Sequence, residues 1–183
     1  MNKLTSLVIR YLLIVLAGLG NLVFFYKIFY PLTFYLSSFA LSMFGEVSNF
    51  YGMRLILFNE TAIELINACI AGSAYYLLFI LVLSLPNLKL LKRTSILLFS
   101  FALLLVLNVI RIVLMGIIAE TAYFESVHML LWYFVSVLFV VGIWFISVRL
   151  FSIKEIPVYS DIKYLLEQTK KSKRNSKHKK SRN

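Results

Sequence analysis

The sequence predicts an all-α, polytopic transmembrane bundle with about four spanning helices and one re-entrant or interfacial segment. Three observations predict it. The 183 residues are 61% hydrophobic and only 15% charged, whereas a soluble domain is about half apolar and about a quarter charged. The apolar residues fall in runs suited to crossing a hydrocarbon layer roughly 30 Å thick. Aromatics make up 16% of the chain, with 11 Tyr and 2 Trp, residues favoured at the membrane–water boundary.

The elements follow in order. A first helix is expected from about Leu7 to Phe29. It reads as a retained span, because the apolar run is long and no small-residue cleavage site follows it. Lys3 and Arg10 at its start place the N-terminus in the cytoplasm. Pro31 is expected to interrupt the helical pattern. The apolar stretch Leu32 to Phe44, with Ser37, Ser38 and Ser42 inside it, is shorter than the roughly 20 residues a span needs and reads as re-entrant or interfacial. Residues from Gly45 to Asn59, with Glu46, Asn49, Gly52 and Arg54, read as an extracytoplasmic surface segment.

A second span is expected over Thr61 to Leu85, ended by Pro86-Asn87 and followed by Lys89, Lys92 and Arg93 in a cytoplasmic loop. The third covers about Ser95 to Ala119 and the fourth about Val127 to Phe151, with Arg149 and Lys154 at its end. Basic residues of the short loops thus fall on one side, and Glu120 and Glu125 fall on the other. The reading is a multi-pass cell-membrane protein with both termini inside. Residues 1–153 form the transmembrane, catalytic domain and residues 154–183 a basic cytoplasmic tail. The tail holds ten Lys/Arg against three acids. Asp161 to Gln168 is compatible with a short helix, and the run from Lys170 onward is too charged to bury a core. On a membrane protein such a run marks the cytoplasmic face and touches anionic headgroups, in preference to nucleic acid.

Function is sought in polar groups that an apolar helix does not explain. Arg111 lies in LLLVLNVIRIVLMGII. A charge inside a span costs about 2.5–3.5 kcal/mol on insertion scales and usually marks function, although a snorkelling or bundle-pairing arginine is the plain alternative. Arg111 sits about 12 Å from the outer helix end at 1.5 Å per residue. Asn108, three residues earlier, shares its face. Cys69 is the single cysteine, so it forms no internal disulfide and no cysteine-based metal cluster. It is expected at a similar depth, with Gly72, Ser73 and Tyr76 on its face and Glu60 and Glu64 on the opposite one if the helix is continuous. By itself it reads as a small buried hydrophobe. His128, the one histidine before the tail, begins the fourth helix on the outer side and by itself reads as a cap or interfacial residue. Three helices therefore bring a thiol, a guanidinium and an imidazole to the outer half of the membrane.

Those groups suit nucleophilic catalysis. A thiolate is the reactive form of cysteine, and a neighbouring cation favours it. Cys69 would be the nucleophile, His128 the general acid/base, and Arg111 the stabiliser of thiolate or oxyanion, with Asn108 supporting as an oxyanion donor or by orienting Arg111. Which of His128 and Arg111 activates the thiol is left open by the sequence. No cofactor or metal is expected. The segments NACIAGSAYYLLFILVLSL and NVIRI, followed by His128 at the next outer helix end, resemble the ordered reactive residues of the exosortase/archaeosortase superfamily over roughly residues 60–150. Many members place Ser-Gly directly after the cysteine; here Ile70 and Ala71 precede Gly72. The resemblance implies a cysteine peptidase-transpeptidase. Its substrates would be surface-destined proteins whose C-terminal signal combines a short motif, a hydrophobic helix and a basic cluster. A non-enzymatic assembly partner or small transporter subunit is the competing reading, with Arg111 and Asn108 structural. A rhomboid-type or aspartyl protease or a metalloprotease fits less, for want of Gly-x-Ser-x-Gly, a spanning Asp or His-Glu-x-x-His.

Overall fold

A computed structural model describes residues 3–20, 22–86, 88–131 and 136–153, with the isolated positions 157, 163 and 166. The short helix expected in the tail, apart from positions 163 and 166, and the charged run after it lie outside the described residues. So do residues 132–135, in the first half of the expected fourth span.

The chain is mostly helical, as its hydropathy requires, but it is not all-α. The order is α1 (Lys3–Leu19), α2 (Val23–Leu41), β1 (Val47–Phe50), a 3-10 turn (Tyr51–Met53), β2 (Leu55–Phe58), β3 (Thr61–Glu64), α3 (Asn67–Ile70), α4 (Gly72–Leu83), α5 (Leu90–Ile118), α6 (Phe124–Leu130) and α7 (Ser136–Leu150). One helix, α5, is long and apolar enough to cross a membrane. The pair formed by α1 and α2 passes the same test as one broken span, and residues 67–83 and 137–150 are shorter apolar helices. Among the described residues, helix length thus gives one full-length span, or two if the bent pair is counted as one, where the sequence suggested four.

Three expectations about the first half are corrected. The first break falls not at Pro31 but before α2, where Leu22 takes a left-handed conformation and α1 and α2 meet at 70°. Pro31 lies inside α2. Proline removes one backbone donor, a defect that helices in apolar surroundings tolerate when neighbours re-satisfy the carbonyl. Leu32 to Phe44 is therefore no separate re-entrant piece, since α2 carries it to Leu41. The segment Gly45 to Asn59, expected as surface loop, and the start of the expected second span form a three-stranded antiparallel sheet, ordered β1-β2-β3. Its hairpin is built on Asn59 at φ 51°, a residue type that enters the left-handed region at low cost. The alternation in β2 buries Ile56 and Phe58. They pack with Phe34 and Leu41 of α2 and with Ile112 and Val113 of α5.

The expected second span is interrupted. Thr61–Glu64 is a strand, α3 is a single short turn, and Ala71 at φ 57° separates it from α4. Gly72 follows, and a Cβ there would stand 2.5 Å from the Tyr26 ring. The missing side chain lets α2 pack directly against α4. The helical-wheel placement of Gly72, Ser73 and Tyr76 beside Cys69 fails for the same reason. On the remaining helices, α5 starts about a turn earlier than expected and α6 begins at Phe124.

The two ends of the bundle differ in charge. At one end Val82, Leu85, Ile96 and Ile153 cluster. There the buried Arg10 donates from Nη1 to the carbonyls of Leu83 and Leu85 at 3.1 and 3.0 Å, and Arg93 donates to Leu85 O at 2.6 Å. Cations suit the carbonyl end of α4. At the other end lies the sheet, and the five acids of residues 1–153 (Glu46, Glu60, Glu64, Glu120 and Glu125) all belong to the sheet segment or to the α5–α6 turn and α6. A charge-assisted hydrogen bond contributes about 1.5–3 kcal/mol. Replacing Arg10 by Met, which keeps bulk but leaves those carbonyls short of donors, is expected to cost about 3 kcal/mol. Scanning fluorimetry in detergent should find the midpoint roughly 5–10 °C lower, with Arg10→Lys in between.

Candidate active site

Cys69 is the third residue of α3 and half-buried. So short a helix leaves most of its carbonyls without internal acceptor bonds. Helix α5 supplies a donor for one of them, the Cys69 carbonyl. Asn108, 2% exposed, donates from Nδ2 to Cys69 O at 2.7 Å. Arg111, one turn further along, donates from Nη2 to Ala68 O at 3.5 Å, a long bond. The i, i+3 spacing puts both side chains on one face of α5, so a single stripe of the helix holds the cysteine turn. Asn108 thereby acts on the backbone of the nucleophile candidate, and it stands behind the site rather than in it.

Cys69, Arg111 and His128 line one cavity of about 450 Å³. Its walls come from four elements: β3 and the residues after it (Thr61 to Ile66), α3 through Cys69, α5 from Arg111 to Ala119, and α6 through Phe124 and His128. His128 lies in the middle of α6, not at its start, and its ring stacks on Phe124 with centroids 5.4 Å apart and an interplanar angle of 19°. That stacking fixes the plane of the imidazole. The floor is apolar, with Ile112 and Met115 between Arg111 and Gly116.

One lining residue was placed elsewhere by the sequence. Glu64 was assigned to the face opposite Cys69 on the premise of a continuous helix. Because that premise fails, Glu64 ends β3 and is one of the residues lining the cavity. Two charges therefore act on the thiol, the Arg111 guanidinium and the Glu64 carboxylate. A cation favours the thiolate and an anion opposes it. The signal that could have located Glu64 was the strand pattern itself: Leu55-Ile-Leu-Phe and Thr61-Ala-Ile-Glu flank the turn residue Asn59. Among the described residues, no group of three or more His, Cys, Asp and Glu side chains could share a metal ion.

The two charges make opposite predictions for one measurable rate. Cys69 is the chain's single cysteine, so iodoacetamide labelling reports on it alone. Arg111→Gln is expected to slow alkylation at pH 7 by up to about tenfold, the factor that one pH unit of thiol acidity gives, and Glu64→Gln to accelerate it by less, because Glu64 is exposed and is the weaker of the two influences. Equal rates in all three chains would mean that neither charge reaches the sulfur.

Comparison with protein-family models, with curated proteins and with solved structures finds no match to this chain.

Proposed function

We propose that this chain is a membrane-embedded cysteine peptidase-transpeptidase that opens to the extracytoplasmic side, crosses the membrane several times and keeps both termini in the cytoplasm. The observation that carries the chemistry is the meeting of Cys69, Arg111 and His128, from three different helices, around one cavity. The membrane setting is supported by the surface. The most apolar window of α5 is only 28% buried, unlike the core helix of a soluble protein. Apolar side chains exposed at one-turn spacing line α1 (Val8, Leu12, Leu16), α2 (Phe24, Ile28, Leu32), α5 (Val106, Ile110, Leu114) and α7 (Val137, Val141, Phe145). Such a belt is far larger than a monomer exposes to water. Arg10 and Arg93 at one end and acids at the other agree with a cytoplasmic and an outer end, respectively.

The steps follow from the groups present. His128 takes the thiol proton of Cys69, and the thiolate attacks the scissile carbonyl. The new C–S bond converts the carbonyl oxygen to an oxyanion beside Arg111, which stays charged and stabilises it. Collapse breaks the C–N bond, and the imidazolium returns its proton to the leaving amine. A thioester remains on Cys69. An acceptor amine, or water, attacks it after His128 removes a proton, and Cys69 leaves as thiol. A surface-destined protein with a C-terminal motif, hydrophobic helix and basic cluster is the substrate class. Its helix would lie beside the bundle, and its basic cluster would share the cytoplasmic side with the tail of residues 154–183.

The test is processing of a co-encoded protein with that C-terminal pattern, followed by immunoblot in membranes. Cys69→Ala is expected to leave only precursor while the chain itself stays folded by size-exclusion profile. His128→Asn should lower the processing rate by roughly 10²–10⁴, the usual range for a lost general acid–base group. Full processing by folded Cys69→Ala would assign the chain instead to a structural role.

A further inference from the structure

The sheet has an edge that no other strand covers among the described residues, and the residues of that edge line the cavity. Strand order β1-β2-β3 leaves β3 outermost. The register pairs Ile56 with Ile63 and Phe58 with Thr61, and the Leu65 N–H donates to Arg54 O at 2.8 Å. In an antiparallel ladder the hydrogen-bonded positions alternate. Residues 65, 63 and 61 therefore direct their backbone groups at β2, while Ala62 and Glu64 direct theirs away from it. The first ladder agrees in phase: the Asn59 N–H donates to Glu46 O at 2.8 Å, which turns Leu55 and Leu57 towards β1 and Ile56 and Phe58 towards β3. Of the outward groups, Glu64 O accepts a bond from the Ile66 N–H at 3.2 Å. The Ala62 N–H, the Ala62 carbonyl and the Glu64 N–H have no backbone partner among the described residues, and both residues are exposed.

We propose that an extended polypeptide segment binds as a fourth strand along β3, in the groove between β3 and α6, with its scissile carbonyl carried towards Cys69. The choice of a polypeptide as occupant rests on the peptidase reading above. The geometry supplies the rest. Ala62 and Glu64 both line the cavity that holds Cys69, and the chain runs from Glu64 through Leu65 and Ile66 directly into α3. A strand laid on that edge therefore leads to the thiol. Three outward backbone groups fit strand addition, in which one incoming residue pairs with Ala62 in both directions and another accepts from Glu64. An incoming main chain meets all three. β3 has four residues, about 13 Å of strand, which limits the recognised segment to about four residues. Main-chain pairing would give affinity, and the apolar floor at Ile112 and Met115 would select an apolar side chain.

A pool of synthetic N-acetylated hexapeptides tests this. The peptides are randomised at four positions, carry a diazirine side chain and are photocrosslinked to the full chain in lipid nanodiscs, with adducts mapped by mass spectrometry. Adducts are expected on residues 61–66 and on α6. They should fall at least about fivefold when the pool is methylated on its backbone nitrogens, the loss that one or two hydrogen bonds would give. Ala62→Pro, which removes an outward N–H and no rung of the β2–β3 ladder, should give the same fall with an unchanged iodoacetamide rate at Cys69. Ala62→Ser and Cys69→Ala should crosslink as the native chain does. If Ala62→Pro does not fold, the methylated pool on the native chain decides. Equal crosslinking by methylated and unmethylated pools, or adducts confined to surfaces away from β3, would overturn the proposal. Crosslinking needs no thiol. Adducts on β3 together with full substrate processing by Cys69→Ala would therefore overturn the peptidase reading and leave the docking edge, and the converse pair of results would do the opposite.

Discussion

The hydrogen bond from the Asn108 amide to the Cys69 carbonyl is the constraint on which the site depends. The backbone around Cys69 is neither strand nor full helix, and it sits between apolar helices where an unsatisfied carbonyl is expensive. Helix α5 resolves this with Asn108 to Cys69 O, and Arg111 on the same stripe adds a long bond to Ala68 O, which also accepts the Ala71 N–H. The same contact that makes the interruption tolerable therefore brings the guanidinium beside the thiol. Satisfying the backbone and placing the charge are a single act of packing. The cost of burying Arg111 is offset in part by the cavity it lines and by a carbonyl acceptor.

A second consequence concerns rigidity. A nucleophile on a continuous helix could only project from a fixed cylinder. On a four-residue turn between β3 and α4, Cys69 becomes the junction of a sheet and a bundle. The sheet is anchored beneath by Phe34, Leu41, Ile112 and Val113, which ties the cavity wall at β3 to the floor at α5. At the far end, Arg10 and Arg93 tie α4 to α1 and α5. The bundle is thus held from both ends, while α6 supplies the remaining cavity wall and carries His128 stacked on Phe124.

The sequence made some of this legible and hid the rest for physical reasons. The helical character, α5 and the meeting of Cys69, Arg111 and His128 could be argued from hydropathy and from polar residues out of place. The sheet could not be recovered from the same logic, because apolar residues such as Ile56 and Phe58 look alike in a buried strand and in a span. A hydropathy reading therefore absorbed Thr61 to Glu64 into a helix and turned Glu64 the wrong way. Pro31 was over-read: its cost is local, and the left-handed Leu22, invisible to any propensity rule, made the bend instead. Arg10 was read as a topological signal only, although it is buried and bonded to the end of α4.

The central claim is that Cys69 attacks a carbonyl and carries the acyl group. Its most direct measurement is acid-quenched turnover of the full chain with its substrate protein, followed by peptide mass spectrometry. The account predicts a hydroxylamine-labile acyl adduct on the peptide containing Cys69, increased when acceptor amine is withheld. Product formed at the native rate, with Cys69 unmodified at every quench time and in the absence of acceptor, would contradict it.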